Sequence, residues 1–279
     1  MRPGERYTPR VRLAIYAALL GLSAVFLLPF VWLVSTSLKP EAKIMKFPPE
    51  WVPNPVTFEH YSKALASAPF GLYVLNTSGV ALLVIFGTLL SSSLVAYSFS
   101  ILRWPRRDFF FYLMLGTMML PGQATMIPVF LLYRKLGWVN TFLPMIVPSF
   151  FGNAFFIFLL RQFFLSLPRE LIDAARIDGC SELRIWWQIV LPLSRPALAA
   201  VGLFTFMGTW NDFMNPLIYL TDQEKYTLSL GLAMFRGQYG SEYGQLMAVS
   251  VLLILPIIVL FFFAQKTFIQ GIKTSGMKG

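Results

Sequence analysis

Trp210, Asn211 and Asp212 stand side by side in a stretch that is otherwise free of charge. A ring face, an amide and a carboxylate are the groups that bind hydroxyl-rich solutes such as sugars. A carboxylate at the centre of a membrane helix costs roughly 2.5–3.5 kcal/mol, so Asp212 is expected to face protein or water and not lipid. Asn76 and Asn153, in two other apolar stretches, add amides that facing helices can bring to the same path. A second reading stays open for all five: hydrogen bonds between helices or to a neighbouring subunit, with Asp212 close enough to a span end to serve only as an interface contact. Other chemistry is poorly supplied. Cys180 and His60 are the only residues of their types, which excludes an intrachain disulfide and leaves a His/Cys metal site short of ligands. No nucleophile–base pair or acidic cluster stands at an apolar boundary, and no G-x-x-x-x-G-K-[ST] loop occurs. No catalytic residue, metal or nucleotide site is therefore expected in this chain.

The elements that must hold these groups are membrane helices. Hydrophobic residues make up 56% of the chain and charged residues 13%, an apolar excess beyond the needs of a water-soluble core. A bilayer core of about 30 Å takes around 20 apolar residues of helix. Six segments qualify, at approximately residues 13–37, 72–99, 109–133, 141–160, 197–220 and 245–264, so an all-α polytopic fold is expected. Arg2, Arg6, Arg10 and Arg12 precede the first run as in a secretory signal, but the run exceeds the roughly 7–15 apolar residues of such signals and reads as a retained helix. The net charge of +10 comes from basic residues scattered between apolar runs, not from one basic face, so nucleic acid is not an expected partner. Nearly two-thirds of the 23 Lys and Arg fall on the side that bears both termini. By the positive-inside rule both termini are cytoplasmic, and Trp104 and Trp138 sit where interfacial anchors belong. Pro121, Gly122 and Pro128 should interrupt the third span, and Pro144 and Pro148 the start of the fourth. Such breaks either face other helices or a cavity, or serve packing alone.

Three stretches lie outside the spans. Residues 39–71, rich in proline, form an external loop expected to be extended and turn-rich for much of its length. Residues 265–279 form a basic cytoplasmic tail with no evident fold of its own. Residues 161–195 form a cytoplasmic loop with a distinct pattern. Pro168 suits a first helical turn and Gly179 a stop, and Leu171, Ala174 and Ala175 make a narrow apolar stripe of mostly small side chains. Ser181 can cap a second helix, with Leu183, Trp186, Trp187 and Val190 along one face and Pro192 at its end. The alternative is an amphipathic loop resting on the membrane surface.

Asp173-Ala174-Ala175, then Asp178-Gly179, then Ile189-Val190-Leu191-Pro192 resembles the Glu-Ala-Ala…Gly…Ile-x-Leu-Pro loop of ABC-transporter permeases, with Asp173 in place of the usual Glu. Ser37-Leu38-Lys39, Arg161-Gln162-Phe163-Phe164, Trp210-Asn211-Asp212 and the final Ser275-Gly276-Met277-Lys278-Gly279 are similar to the second permease subunit of maltose-type carbohydrate importers. The resemblance implies a type I importer permease in a bacterial-type inner membrane, moving a carbohydrate inward by alternating access. It implies that Leu171, Asp173, Ala174, Ala175, Asp178, Gly179 and Pro192 couple the chain to a separate ATPase. Gly276, Met277, Lys278 and Gly279 would then contact that ATPase, or the basic tail would only attract anionic lipid. Implied partners are a homologous second permease, two ATPase subunits that bind ATP and Mg, an extracytoplasmic solute-binding protein and membrane lipid. A glycerol-3-phosphate permease of the same type is the near alternative. A secondary transporter is the more distant one, opposed by the lack of internal duplication and of intramembrane charges for ion coupling.

Overall fold

The computed structural model describes residues 8–235 and 243–275, with the side chains of the last helix described as far as Phe262. Those residues are helical or irregular, with no strand among them. Four helices are long and apolar enough to cross a membrane: Pro9–Ser37, Phe70–Ser100, Leu143–Phe164 and Tyr243–Phe262. Two further pairs pass the same test but are bent, Arg107–Thr117 with Gly122–Lys135 by 92° and Glu182–Leu193 with Arg195–Trp210 by 82°. The number of candidate spans therefore lies between four and six.

One compact unit takes the chain up to Ala68 together with Leu232–Leu255. It contains α1 (Pro9–Ser37), α2 (Glu41–Ile44) and α3 (Glu59–Ser67). Helix α1 begins before the expected Leu13 because Pro9 presets the first helical turn and gives up no needed N–H there. Residues 39–71 are less extended than expected, since α2 and α3 occupy the two ends of this stretch, but the proline-rich part between them is irregular. Its ties are polar: the Ser37 hydroxyl meets Tyr61 Oη at 2.8 Å, and His60 Nε2 meets the Lys39 carbonyl at 2.7 Å. The buried Lys39 ammonium lies 3.9 Å from the centre of the Trp32 ring. Burial lowers the Lys39 pKa, against the attraction of Glu50.

The other unit takes Pro69–Gly231 with the chain from Pro256 onward. Its axis is α4 (Phe70–Ser100), on which α8 (Ala154–Phe164) and α12 (Arg195–Trp210) pack. Small residues allow the closest approach. A Cβ on Gly87 would stand 2.3 Å from Ser149 Oγ and 2.8 Å from the Phe150 ring, and Ser91 donates to the Ser149 carbonyl at 2.8 Å.

Proline and capping chemistry explain where the spans depart from expectation. The third breaks between α5 (Arg107–Thr117) and α6 (Gly122–Lys135) at Pro121, as expected, but Pro128 lies inside α6 without ending it. In the fourth, Pro144 starts the short α7 (Leu143–Ile146) and Pro148 a 3-10 turn, Val147–Phe151. The break falls later, at Gly152 with φ +86° and at Asn153, whose side chain caps α8. The fifth span is not one helix over 197–220: α12 stops at Trp210 and α13 covers only Met214–Tyr219. Pro216 has no N–H to give the Asp212 carbonyl and its ring crowds that group, so the ladder cannot run through. The Asp212 carbonyl accepts from Ser229 Oγ instead. The last helix, Tyr243–Ser275, runs beyond the expected 264 into the tail for which no fold was expected. The tail residues Gly276, Met277, Lys278 and Gly279 lie outside the described residues.

Candidate functional site

Two places gather polar side chains, both within the unit built on α4. The first is an elbow. Pro168, in extended backbone, leads into α9 (Arg169–Ile177), and Gly179 at φ +79° ends it. Only glycine enters that left-handed region without steric cost. Cys180 N–H donates back to the Ala175 carbonyl at 2.9 Å, closing the turn. Ser181 Oγ accepts from Arg184 N–H at 3.4 Å and caps the next helix, α10 (Glu182–Ile185). That helix continues through a π turn, Trp186–Val190, into α11 (Leu191–Leu193). The helix ends at Leu193, one residue past Pro192, close to the expected stop. The wider turn, in which Leu191 N–H reaches the Trp186 carbonyl, resets the register ahead of the residue that lacks a donor.

The expected apolar stripes divide into an inward and an outward face. Ile172, Ala175, Ile185, Trp186 and Val190 are buried in the core beneath α4. Leu171, Ala174, Asp178, Gly179, Leu183 and Trp187 are exposed, as is Ile177, whose exposure of 87% leaves a large apolar side chain bare. Leu183 and Trp187 thus do not share the face of Trp186 and Val190: the buried arc is centred on Ile185, Trp186 and Val190 and leaves them at or beyond its edge. Arg176 holds the two arms of the elbow together. It donates to Glu182 Oε1 at 2.8 Å and to Asp173 Oδ1 at 3.1 Å, and Tyr97 Oη of α4 donates to the same Glu182 carboxylate. The Arg176 bond, opposed by burial and aided by Tyr97, holds Glu182 below the ordinary carboxylate range. Glu182 in turn raises the pKa of Arg176. Asp173 is exposed, and its bond to Arg176 lies within its own helix.

The second place is a cavity of about 280 Å³. Thr77, Tyr133, Thr209, Asp212, Asn215, Tyr219 and Thr227 supply its polar side chains, and Val80, Val84, Met145 and prolines the rest. Tyr133 and Tyr219 meet edge to face at 5.4 Å. Asp212 accepts from Asn215 twice, from the side-chain amide at 2.7 Å and from the backbone N–H at 3.2 Å. Beside the cavity, Asn140 (φ +64°) clasps the chain after α13: its N–H reaches the Tyr219 carbonyl at 2.7 Å and its amide the Asp222 carboxylate at 2.6 Å. Its carbonyl accepts from Thr221 and Asp222 N–H, both at 3.1 Å. Asn140 and then Lys225 lower the pKa of Asp222.

Of the five residues expected along a solute path, Asp212 alone lines this cavity. Asn76 donates to the Glu224 and Tyr226 carbonyls at 2.8 and 3.1 Å, so its amide anchors a loop. Asn153 caps α8, Asn211 bonds the Met207 carbonyl at 2.8 Å, and Trp210 is buried and stacked on Phe206. Sequence reasoning missed Tyr133, Asn215 and Tyr219. The signal available was Asp212-x-x-Asn215-Pro216, a polar cap followed by a residue that cannot continue a helix. It also missed Arg176, Glu182 and Tyr97, whose pairing needs the fold. No group of His, Cys, Asp or Glu that could hold a metal occurs among the described residues.

Residues 87–274 match the family model described as the binding-protein-dependent transport system inner membrane component. The arabinooligosaccharides transport system permease protein AraQ of Halalkalibacterium halodurans is 37% identical over 272 residues, 96% of each chain. The trehalose/maltose transport system permease protein MalG of Thermococcus litoralis is 32% identical and covers 99% of both chains. The sn-glycerol-3-phosphate transport system permease protein UgpE of Yersinia enterocolitica is 31% identical, covering 92% of this chain and 94% of its own. Among solved structures, a chain of a bacterial ABC transporter that imports the acidic polysaccharide alginate superposes with a TM-score of 0.82 at 28% identity, covering 94% of this chain and 99% of that one.

Proposed function

Because the chain belongs to the family of binding-protein-dependent transport system inner membrane components, we propose that it is the carbohydrate-translocating permease subunit of an ATP-driven importer. It is a multi-pass membrane protein. In this reading it crosses the membrane six times, α5 with α6 making the third span and the fifth beginning only at α12, after Glu182–Leu193, with both termini cytoplasmic. Residues 39–71 then lie outside, and 161–195 form the cytoplasmic coupling loop. A homologous permease, two ATPase subunits that bind ATP and Mg, and an external binding protein complete the assembly. The chain itself carries no cofactor. Relatives named for arabinooligosaccharides and for trehalose and maltose favour an oligosaccharide, and the one named for glycerol-3-phosphate marks the alternative.

The observation that carries the reading is the outward face of the elbow. Leu171, Ala174 and Gly179 stand exposed while Ile172 and Ala175, on the same short helix, are locked into the core. A partner that grips the exposed side must move the buried side with it. ATP closure of the ATPase pair then biases the permease between two packings, provided ATP binds one of them better.

The test is a pair of cysteines in the assembled complex with Cys180→Ser as background. Ala174→Cys is expected to cross-link to the ATPase subunit, with uptake lost on cross-linking and restored on reduction. Ala175→Cys, facing the core, is expected not to. Cross-linking of Ala174→Cys only to lipid during turnover would sink the proposal.

A further inference from the structure

The cavity beside Asp212 contains a carboxylate and no cation. Among the described residues lining it, none is Lys, Arg or His. Several of its other polar groups are already committed. Thr77 Oγ1 donates to the Tyr73 carbonyl at 2.8 Å and accepts from Leu228 N–H at 2.8 Å, and Thr227 Oγ1 meets Ser229 Oγ at 3.3 Å. Asp212 is different. A carboxylate offers about four acceptor positions, and Asn215 takes one on each oxygen, so both oxygens keep a free lone pair. Asn215 also fixes the carboxylate in place, which lowers the cost of binding against it. Tyr133 and Tyr219 add ring edges, ring faces and hydroxyls on the same wall.

Resting on the importer reading above, we propose that Asp212, positioned by Asn215, is a charge filter for the transported solute. Two adjacent hydroxyls of an uncharged sugar can donate to its two oxygens, the pattern by which a fixed acceptor pair reads a diol. A phosphate or uronate brought to the same place meets a like charge with no counter-ion among the described residues of the wall, and that juxtaposition disfavours it by at least about tenfold. The volume, near the lower limit of about 300 Å³ for small-molecule sites, suits one sugar unit at a time. The filter therefore admits neutral oligosaccharides. It rejects the anionic solutes for which two of the relatives are named, glycerol-3-phosphate and alginate.

The test uses the complete permease–ATPase complex in lipid nanodiscs without the external binding protein, so that the first selection made by that protein does not enter. Radiolabelled trehalose, maltose, arabinotriose and diacetylchitobiose are compared with glycerol-3-phosphate and an alginate trisaccharide by scintillation proximity. ATP-driven uptake is measured in parallel on proteoliposomes supplied with the binding protein. At least one neutral sugar is expected to bind at least about tenfold better than either anion. Asp212→Asn, which keeps the shape and an acceptor oxygen for the Asn215 N–H and needs only a flip of the Asn215 amide to keep the second contact, is expected to erase most of that preference. Asn215→Lys, which places a cation beside an intact Asp212, is expected to do the same. Anions bound as well as sugars by the native complex, or a preference unchanged in both variants, overturns the filter. So does ATP-driven sugar uptake without detectable sugar binding to the complex. No ATP-driven uptake of any solute overturns the importer reading and the filter together.

Discussion

Two polar clasps join segments far apart in the sequence, and they are built differently. At the elbow, Arg176 links Asp173 and Glu182, and Tyr97 ties Glu182 to α4, so ionised groups meet over a buried apolar floor of Ile172 and Ala175. Beside the cavity, one uncharged side chain does most of the joining. Asn140, in left-handed backbone, holds the chain after α13 through its amide and its main chain. Both clasps hold a carboxylate, but at the elbow the main donor to it is itself ionised, the Arg176 guanidinium on Glu182, whereas Asn140 is a neutral donor to Asp222. The elbow clasp also has three partners that reinforce one another, whereas the other hangs on a single residue. The stiffer clasp sits where the ATPase is proposed to push, and the weaker one borders the cavity proposed to take the solute.

The sharpest way to break this comparison uses two glycines. Gly179 at the elbow and Gly137 near Asn140 both have positive φ, +79° and +70°, and an added Cβ would meet nothing within 4 Å at either. Valine therefore costs each turn a similar backbone strain, about 1–2 kcal/mol. If only the elbow transmits force, Gly179→Val lowers uptake more than about tenfold in an assembled complex, while Gly137→Val lowers it less than about threefold. Equal losses would mean that the elbow is merely another turn. A smaller effect is expected from the clasps themselves. Glu182→Gln keeps the shape but removes the charge that Arg176 and Tyr97 meet, and should reduce transport per ATP hydrolysed severalfold. Asn140→Ala should lower stability by about 1 kcal/mol, discounted for its exposure, and leave that ratio nearly unchanged. Thermal melting and paired uptake and hydrolysis assays on both variants decide the matter.

How legible these regions were in the sequence follows from the range of the interactions. The elbow was legible because its cues are local: Pro168 at the start, Gly179 at the stop, Ser181 as the cap. The spans were legible as apolar runs, yet their breaks were not all so. Pro128 was expected to interrupt a helix and does not, while the stretch read as continuous over 197–220 breaks between Trp210 and Met214, just ahead of Pro216. A lone proline removes one hydrogen bond, and whether the helix survives depends on what else takes the orphaned carbonyl. For the Asp212 carbonyl the missing donor is supplied by the Ser229 hydroxyl, a tertiary contact no local pattern announces. The solute-path residues were the least legible. Asn76, Asn153 and Asn211 are amides in apolar surroundings, and composition cannot distinguish an amide that meets a solute from one that caps a helix or pins a loop.

The smallest expected effect is also the one that separates charge from shape in the two clasps. Glu182 is held below its ordinary pKa mainly by Arg176, and Asp222 mainly by Asn140 and then Lys225. A carboxylate whose folded pKa is depressed binds fewer protons folded than unfolded, so its contribution favours the folded state at higher pH. That contribution is complete above the unfolded values, about 4.3 for Glu and 3.9 for Asp, and disappears as pH falls through the lower folded values. Both side chains are substantially exposed, 43% for Glu182 and 54% for Asp222, so solvent screening keeps the effect small. Melting the assembled complex from about pH 6 to pH 3 should show the native chain's advantage over Glu182→Gln constant at first and shrinking below about pH 4. Asn140→Ala should flatten only the portion due to Asp222. An advantage over Glu182→Gln that persists undiminished at the acid end would mean that Glu182 works by shape, and the contrast between a clasp made by an ion pair and one made by an uncharged donor would then fail.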